Sequence, residues 1–101
     1  MNLSAELFQD HLQTSFFIPV QAEEKLELTL NAIQIRPEDT SPYHQFSLFF
    51  LCSGELQLQQ GSYLLQHSSL PDMQLFLVPV ANSGQTYTYQ ASFTIEKSQL
   101  G

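Results

Sequence analysis

The side chains able to do chemistry are few and scattered. There are three histidines, His11, His44 and His67, and one cysteine, Cys52. Nucleophilic catalysis needs a Ser or Cys with a base in reach. The run His67-Ser68-Ser69, with Asp72 close behind, supplies those residue types. It lacks the G-x-S-x-G elbow and falls where a strand should give way to a turn, so a polar strand end is the expected reading. Cys52 follows Phe50-Leu51 and has no adjacent base to lower its pKa, which predicts a buried structural thiol. No H-x-x-x-H or C-x-x-C spacing offers a metal site, and the three histidines would have to converge in space to make one. Glu23-Glu24 and Glu38-Asp39 lie outside any D-x-D-x-D-G loop and read as solvated loop acids. The glycines at 54, 61, 84 and 101 stand singly, as turn markers, and do not form a phosphate cradle. Tyr63, Tyr87 and Tyr89 could stack on a sugar. Tyr87 and Tyr89, however, share a strand face with Phe93 and Ile95, and core packing accounts for them. The expectation is no enzyme, no cofactor and no metal.

Charge narrows the partners. Ten acids against three bases give a formal net charge of −7. Lys25, Arg36 and Lys97 are far apart in sequence and cannot form the basic stripe that nucleic acid requires. An anionic membrane surface is excluded by the same arithmetic, so neither nucleic acid nor membrane is an expected partner. No apolar run approaches the roughly 20 residues of a membrane helix. The opening Met1-Asn2-Leu3-Ser4-Ala5-Glu6 has neither the positive start nor the apolar stretch of a secretory signal, so a cytoplasmic site is expected. A single cysteine excludes an internal disulfide. The chain is 43% hydrophobic and 13% charged, about half the usual charged share, and 101 residues bound it to one domain, 1–101.

The elements that must position these groups are mostly strands. One helix is predicted over about residues 5–12. Ser4 is its N-cap, Glu6 is favoured by the dipole, and Leu3 with Phe8 forms a hydrophobic staple. Leu7, Phe8, His11 and Leu12 share one face. A helix this short is unstable alone and must dock. Phe16–Val20 reads as a strand, with Pro19 at an edge or end. In Lys25–Arg36, Leu26, Leu28 and Leu30 face one way, and then Ile33 and Ile35 change parity. A β-bulge near Asn31-Ala32, or a barrel corner, absorbs that slip.

Residues 36–42 form a loop. Gln45–Cys52 is apolar on both faces, with Phe46, Leu48 and Phe50 on one and Phe49 and Leu51 on the other. Such a strand must be covered on both sides, by the helix or by a partner. Ser53-Gly54 turns, and Leu56, Leu58 and then Gly61, Tyr63, Leu65 suggest short strands about a Gln60-Gly61 turn. Leu70-Pro71-Asp72 turns again. Met73–Val80 is a strand and Asn82-Ser83-Gly84 a hairpin loop. Finally Tyr87, Tyr89, Ala91, Phe93 and Ile95 alternate with Thr88, Gln90, Ser92, Thr94 and Glu96. The fold class is therefore mainly β, α+β by strict count. One short N-terminal helix packs on an antiparallel sheet of about six strands, rolled into a small barrel or sandwich that hides its edges.

Several stretches carry a resemblance. They are Phe46-Ser47-Leu48-Phe49-Phe50, Leu58 to His67 with its Gln60-Gly61-Ser62-Tyr63 core, Leu75-Phe76-Leu77-Val78-Pro79-Val80, and Tyr89-Gln90-Ala91-Ser92-Phe93. The chain resembles a family of bacterial proteins of about this length and unknown function. That resemblance takes in the N-terminal helix and the Leu26-Leu28-Leu30 strand. It implies a gene neighbourhood shared with tail-collar-like proteins of the microcystin-dependent type, and so an accessory or structural role in a phage-tail-like particle. It supplies no catalytic residue. Gln60, Gly61, Tyr63 and His67 match its motif and are candidate structural or interface residues. Phe49 and Leu51 join them as the second apolar face of their strand. Gly61 is expected to hold a turn conformation that a larger residue would resist. The leading expectation is a non-enzymatic interaction protein that self-associates or binds a protein partner. The alternative is a small sugar- or lipid-binding β-barrel.

Overall fold

A computed structural model describes residues 5–20, 25–36, 42–53 and 58–96, with Glu96 described by its backbone alone. The elements are helix α1 (Ala5–Gln9) and strands β1 (Ser15–Pro19), β2 (Lys25–Ile35), β3 (Tyr43–Ser53), β4 (Gly61–Leu65), β5 (Met73–Ser83) and β6 (Thr86–Glu96). The six strands form one sheet in the order β1-β2-β3-β6-β5-β4, and every neighbouring pair is antiparallel. A further antiparallel bridge joins Phe17 at one edge to Gln66 at the other. The sheet is thus rolled almost shut as a barrel, as its alternation predicts, and its two edge strands meet.

Alternation along each strand sets what faces inward. Phe16 and Ile18 of β1, Leu28 and Leu30 of β2, and Phe46, Leu48, Phe50 and Cys52 of β3 are all buried. So are Leu65 of β4, Met73, Leu75 and Leu77 of β5, and Tyr89 and Ala91 of β6. The parity change in β2 is a real register shift between Leu30 and Ala32, with exposed Asn31 as the extra residue. A second shift, between Pro79 and Ala81, leaves Val80 as the extra residue of β5. The β5–β6 turn is tighter than the sequence suggests. Asn82 and Ser83 remain in the ladder, Ser83 pairs with Thr86, and Gly84-Gln85 makes the loop. Gly84 has φ 66° and Gln85 does not share that sign, the pattern of a type II′ hairpin turn.

Three expectations need correction. Helix α1 stops at Gln9, not Leu12. The next bonds are tighter i→i+3 turns, His11 N–H to Phe8 O at 2.9 Å and Thr14 N–H to His11 O at 3.3 Å. Gln13 then takes φ 65° and donates to Leu30 O at 2.7 Å, so pairing with β2 wins over further helix and Leu12 is left exposed. The helix also does not cover the second face of β3. Phe8 enters the core and packs on Phe46 and Phe93, at ring distances of 6.2 and 5.8 Å, which is the inner face. Leu58 is not in a strand. It is a buried residue of the β3–β4 connection, and its N–H donates to the Tyr89 hydroxyl at 2.8 Å. Leu3, Ser4, Gly54 and Leu56 lie outside the described residues. Among the described residues, no helix is long and apolar enough to cross a membrane.

Candidate functional site

Two parts of the barrel differ from plain scaffold. One is the outer face of β3, β6, β5 and β4, and the other is the closure between β1 and β4.

The strands of the outer face carry no formal charge, and the charged groups that border it are Glu27 of β2, in a cleft shared with Leu51, and Arg36, in a cleft shared with Ser47. No Asp, Glu, Lys or Arg occurs in β3, β4 or β5, or in β6 before Glu96, within a chain that has 13 such residues. Phe49 and Leu51, predicted as the second face of β3, point out here and are half-buried. They lie between Ala32 and Thr29 of β2 on one side and Gln90 and Thr88 of β6 on the other. Gln90 pairs in turn with Val78 of β5. Along β5 and β4 the same face shows Phe76, 56% exposed, with Val80 and Leu64 also exposed. Beyond Phe49 the face becomes polar. The Gln90 amide donates to Ser47 Oγ at 3.0 Å, and Ser47 Oγ lies 3.3 Å from Ser92 Oγ. These serines border an open cleft of about 360 Å³ that Gln34, Arg36, Gln45 and Thr94 also line. Phe76 and Val80 were missed in the sequence reading. The signal was present, since Phe76 and Val78 alternate with Leu75 and Leu77 much as Phe49 and Leu51 do with Leu48 and Phe50.

The motif segment resolves into separate jobs. Gln60 is exposed at a bend before β4. Gly61 opens β4 without a positive φ, and a Cβ placed on it would meet Tyr63 at an ordinary 3.8 Å. The expected need for glycine at this position is therefore not met. Tyr63 packs against the core, and its hydroxyl donates to Gln59 O at 2.6 Å. His67 does the most. It packs on Phe16 with the rings tilted at 49° and 4.5 Å apart, and meets His11 edge-on at 5.0 Å. Two of the three histidines therefore come together, while His44 sits apart against Phe46 at 5.5 Å. Among the described residues, no three His, Cys, Asp or Glu side chains gather to hold a metal.

The bonds around His67 fix its tautomer. Ser69 N–H donates to His67 Nδ1 at 2.9 Å, so Nδ1 carries no proton. Nε2 therefore carries it, facing Thr14 Oγ1 at 2.9 Å. The Thr14 hydroxyl directs its own hydrogen to His11 O at 2.6 Å, which a carbonyl can only accept. A Thr or Ser nucleophile needs a histidine that accepts its proton. Here His67 donates to the hydroxyl, and its accepting nitrogen is taken by Ser69. The arrangement is wired as a structural tie, the reverse of a catalytic dyad. Burial, with His11 nearby as a like charge, pushes the His67 pKa below its ordinary value.

The remaining reactive groups belong to the core. Cys52 is a buried free thiol whose pKa is raised by desolvation. Tyr89 is fully buried, and its pKa is raised by the same cause and partly restored by the Leu58 N–H. Tyr87 packs partly buried against that core and Tyr89 lies within it, as expected of that pair, and Tyr63 packs partly buried against it as well.

Comparison with curated proteins and with solved structures finds no match in either. A family model does match, over residues 3–93, and its family is described as a domain of unknown function, DUF6916. With that match running through the helix and strands β1 to β5 and into β6, the chain belongs to the DUF6916 family.

Proposed function

We propose that this protein is a non-enzymatic interaction module that docks a protein partner, or a second copy of itself, through the outer face of β3, β6, β5 and β4. The observation carrying this is a run of four strands whose outer face bears no formal charge, on a chain of net charge −7, with Phe76 of β5 more than half exposed on it. Exposed sheet surfaces ordinarily carry charge that keeps them soluble and unpaired. Interface centres are the opposite, depleted in charge and enriched in aromatics, with a polar rim. Phe49 and Leu51 of β3 and Phe76, Val78 and Val80 of β5 supply apolar contacts on either side of the uncharged polar row Thr88, Gln90 and Ser92 of β6. The resemblance found in the sequence adds a context, an accessory or assembly role in a phage-tail-like particle.

The sugar- or lipid-binding reading ranks second because large side chains occupy the described interior. Phe8, Phe16, Phe50, Leu48 and Tyr89 are all fully buried there. Chemical-shift mapping tests the proposal. Amides of Phe49, Leu51, Phe76 and Val80 should shift on concentration, or on addition of the neighbouring gene's product. Shifts confined to β1 and β2 would contradict it.

A further inference from the structure

The barrel is closed unevenly. The β3–β6 ladder runs from Tyr43 opposite Glu96 to Ser53 opposite Thr86, whereas β1 and β4 are joined by the single Phe17–Gln66 bridge. Its two bonds are Phe17 N–H to Gln66 O at 2.9 Å and Gln66 N–H to Phe17 O at 2.8 Å. Gln66 also holds a buried side-chain oxygen, Oε1, that has no hydrogen-bond partner. A buried acceptor left unmatched weakens the join that contains it. The seam therefore has fewer backbone hydrogen bonds to break on opening than the β3–β6 ladder.

The residues flanking the bridge add a third tie. Thr14 immediately precedes β1, His67 immediately follows Gln66, and their side chains meet across the seam. A second proton on the ring leaves the Nε2–H facing Thr14 in place, so the tie depends on the ring's position, which the bond at Nδ1 holds. Nδ1 must be bare to accept Ser69 N–H. A second proton would set N–H against N–H there, and the 67–69 turn would have to move. It would also place a cation beside His11 at a ring distance of 5.0 Å. The titratable groups on the elements packed about His67 are Glu6, Asp10 and His11 on α1 and its following turn, and Asp72 on its own loop; β1 has none. Of these, His11 acts on His67 as a like charge and disfavours its second proton. Phe16 would favour a cation over its ring, but that contact replaces neither the Ser69 bond nor the lost neutrality. His11 differs. It donates Nδ1–H to Leu7 O at 2.9 Å, so a second proton breaks no bond it makes.

We propose that His67 is an acid-sensitive latch on the β1–β4 seam, closed while its ring is neutral and released when the ring takes a second proton. Release frees the facing edges of β1 and β4 and leaves the long β2, β3, β6 and β5 ladders intact. This inference does not depend on the docking face.

The test is amide hydrogen exchange by NMR on the whole protein, corrected for the intrinsic pH dependence, between about pH 7.5 and about pH 5, the range in which histidine charges. Protection of Phe17 and Gln66 should fall about fivefold relative to the β3–β6 amides, the net worth of one lost hydrogen bond. In His67→Gln, whose side chain cannot titrate, that fall should vanish. Unchanged seam protection in the wild type, or an equal fall in His67→Gln, overturns the proposal. Should His67→Gln not fold, the wild-type rings decide. Seam loss must follow the titration of the His67 ring, and loss that follows His11 or His44 overturns the latch.

Discussion

The hydroxyl of Thr14 lies 2.9 Å from Nε2 of His67, joining the turn after α1 to the end of β4 across 53 residues of sequence. It also donates to His11 O at 2.6 Å, so one side chain serves the helix turn and the barrel closure together. Thr14→Val keeps the shape and removes both bonds. Partners left unmatched in a half-buried site should lower stability by about 1 kcal/mol. Urea unfolding should show this as a lower midpoint with an unchanged slope. An unchanged midpoint would mean the tie carries no stability.

The lowered pKa of His67 makes stability depend on pH, with a definite sign. The unfolded chain takes up its proton near the ordinary value of 6.5, and the folded chain only at lower pH. The neutral-form contribution is therefore complete above 6.5 and is lost as pH falls through the folded value. Unfolding midpoints measured through this window should decline for the wild type. They should decline less for His67→Gln.

Phe8 is fully buried against Phe46 and Phe93, and those two rings stack at 4.8 Å. A helix of five residues has little stability of its own, so this ring is its anchor. Phe8→Ala should cost about 3–5 kcal/mol. Chemical denaturation would read that loss. A cost below about 1 kcal/mol would show that α1 is not docked as described.

Gly84 and Gly61 should behave differently under the same change. Gly84→Ala forces a side chain into φ 66° and should cost roughly 1 kcal/mol, although open space surrounds the site. Gly61→Ala meets ordinary contacts and should stay within about 0.5 kcal/mol of the wild type. Paired thermal melts of the two variants check this, and equal melting shifts would refute the distinction.

Tyr89 and Leu58 are tied by a buried bond of 2.8 Å. Tyr89→Phe leaves the Leu58 N–H without an acceptor and should cost about 1–3 kcal/mol. Exchange of the Leu58 amide should accelerate in the same variant. A variant as stable as the wild type would place water on that amide.

What could be read from the sequence was the orientation of side chains. Alternation of Leu26, Leu28 and Leu30, broken before Ile33, located the β2 bulge because a single inserted residue changes parity. The same rule put Phe49 and Leu51 on the outer face. Alternation names a face but not a neighbour, so the pairing of β3 with β6, ahead of β4 and β5, had no local signal. The β5 bulge was hidden because Pro79, Val80 and Ala81 carry no polar contrast to reveal a slip. The end of α1 depended on a bond from Gln13 to Leu30, which helical spacing cannot anticipate. The meeting of His11, Thr14 and His67 follows from barrel closure, and no spacing between them announces it.

Occupation of the outer face of β3, β6, β5 and β4 decides whether this protein is an interaction module. Size-exclusion chromatography with light scattering would weigh the wild type and Phe76→Asp, each alone and co-expressed with the neighbouring gene's product. The wild type should form a defined complex, either a self-assembly or a mixed one. Phe76→Asp should lose it while keeping the wild-type circular dichroism, because Phe76 contributes little to the core at 56% exposure. A wild-type protein that stays monomeric under both conditions would contradict the docking face, as would a complex that Phe76→Asp leaves intact.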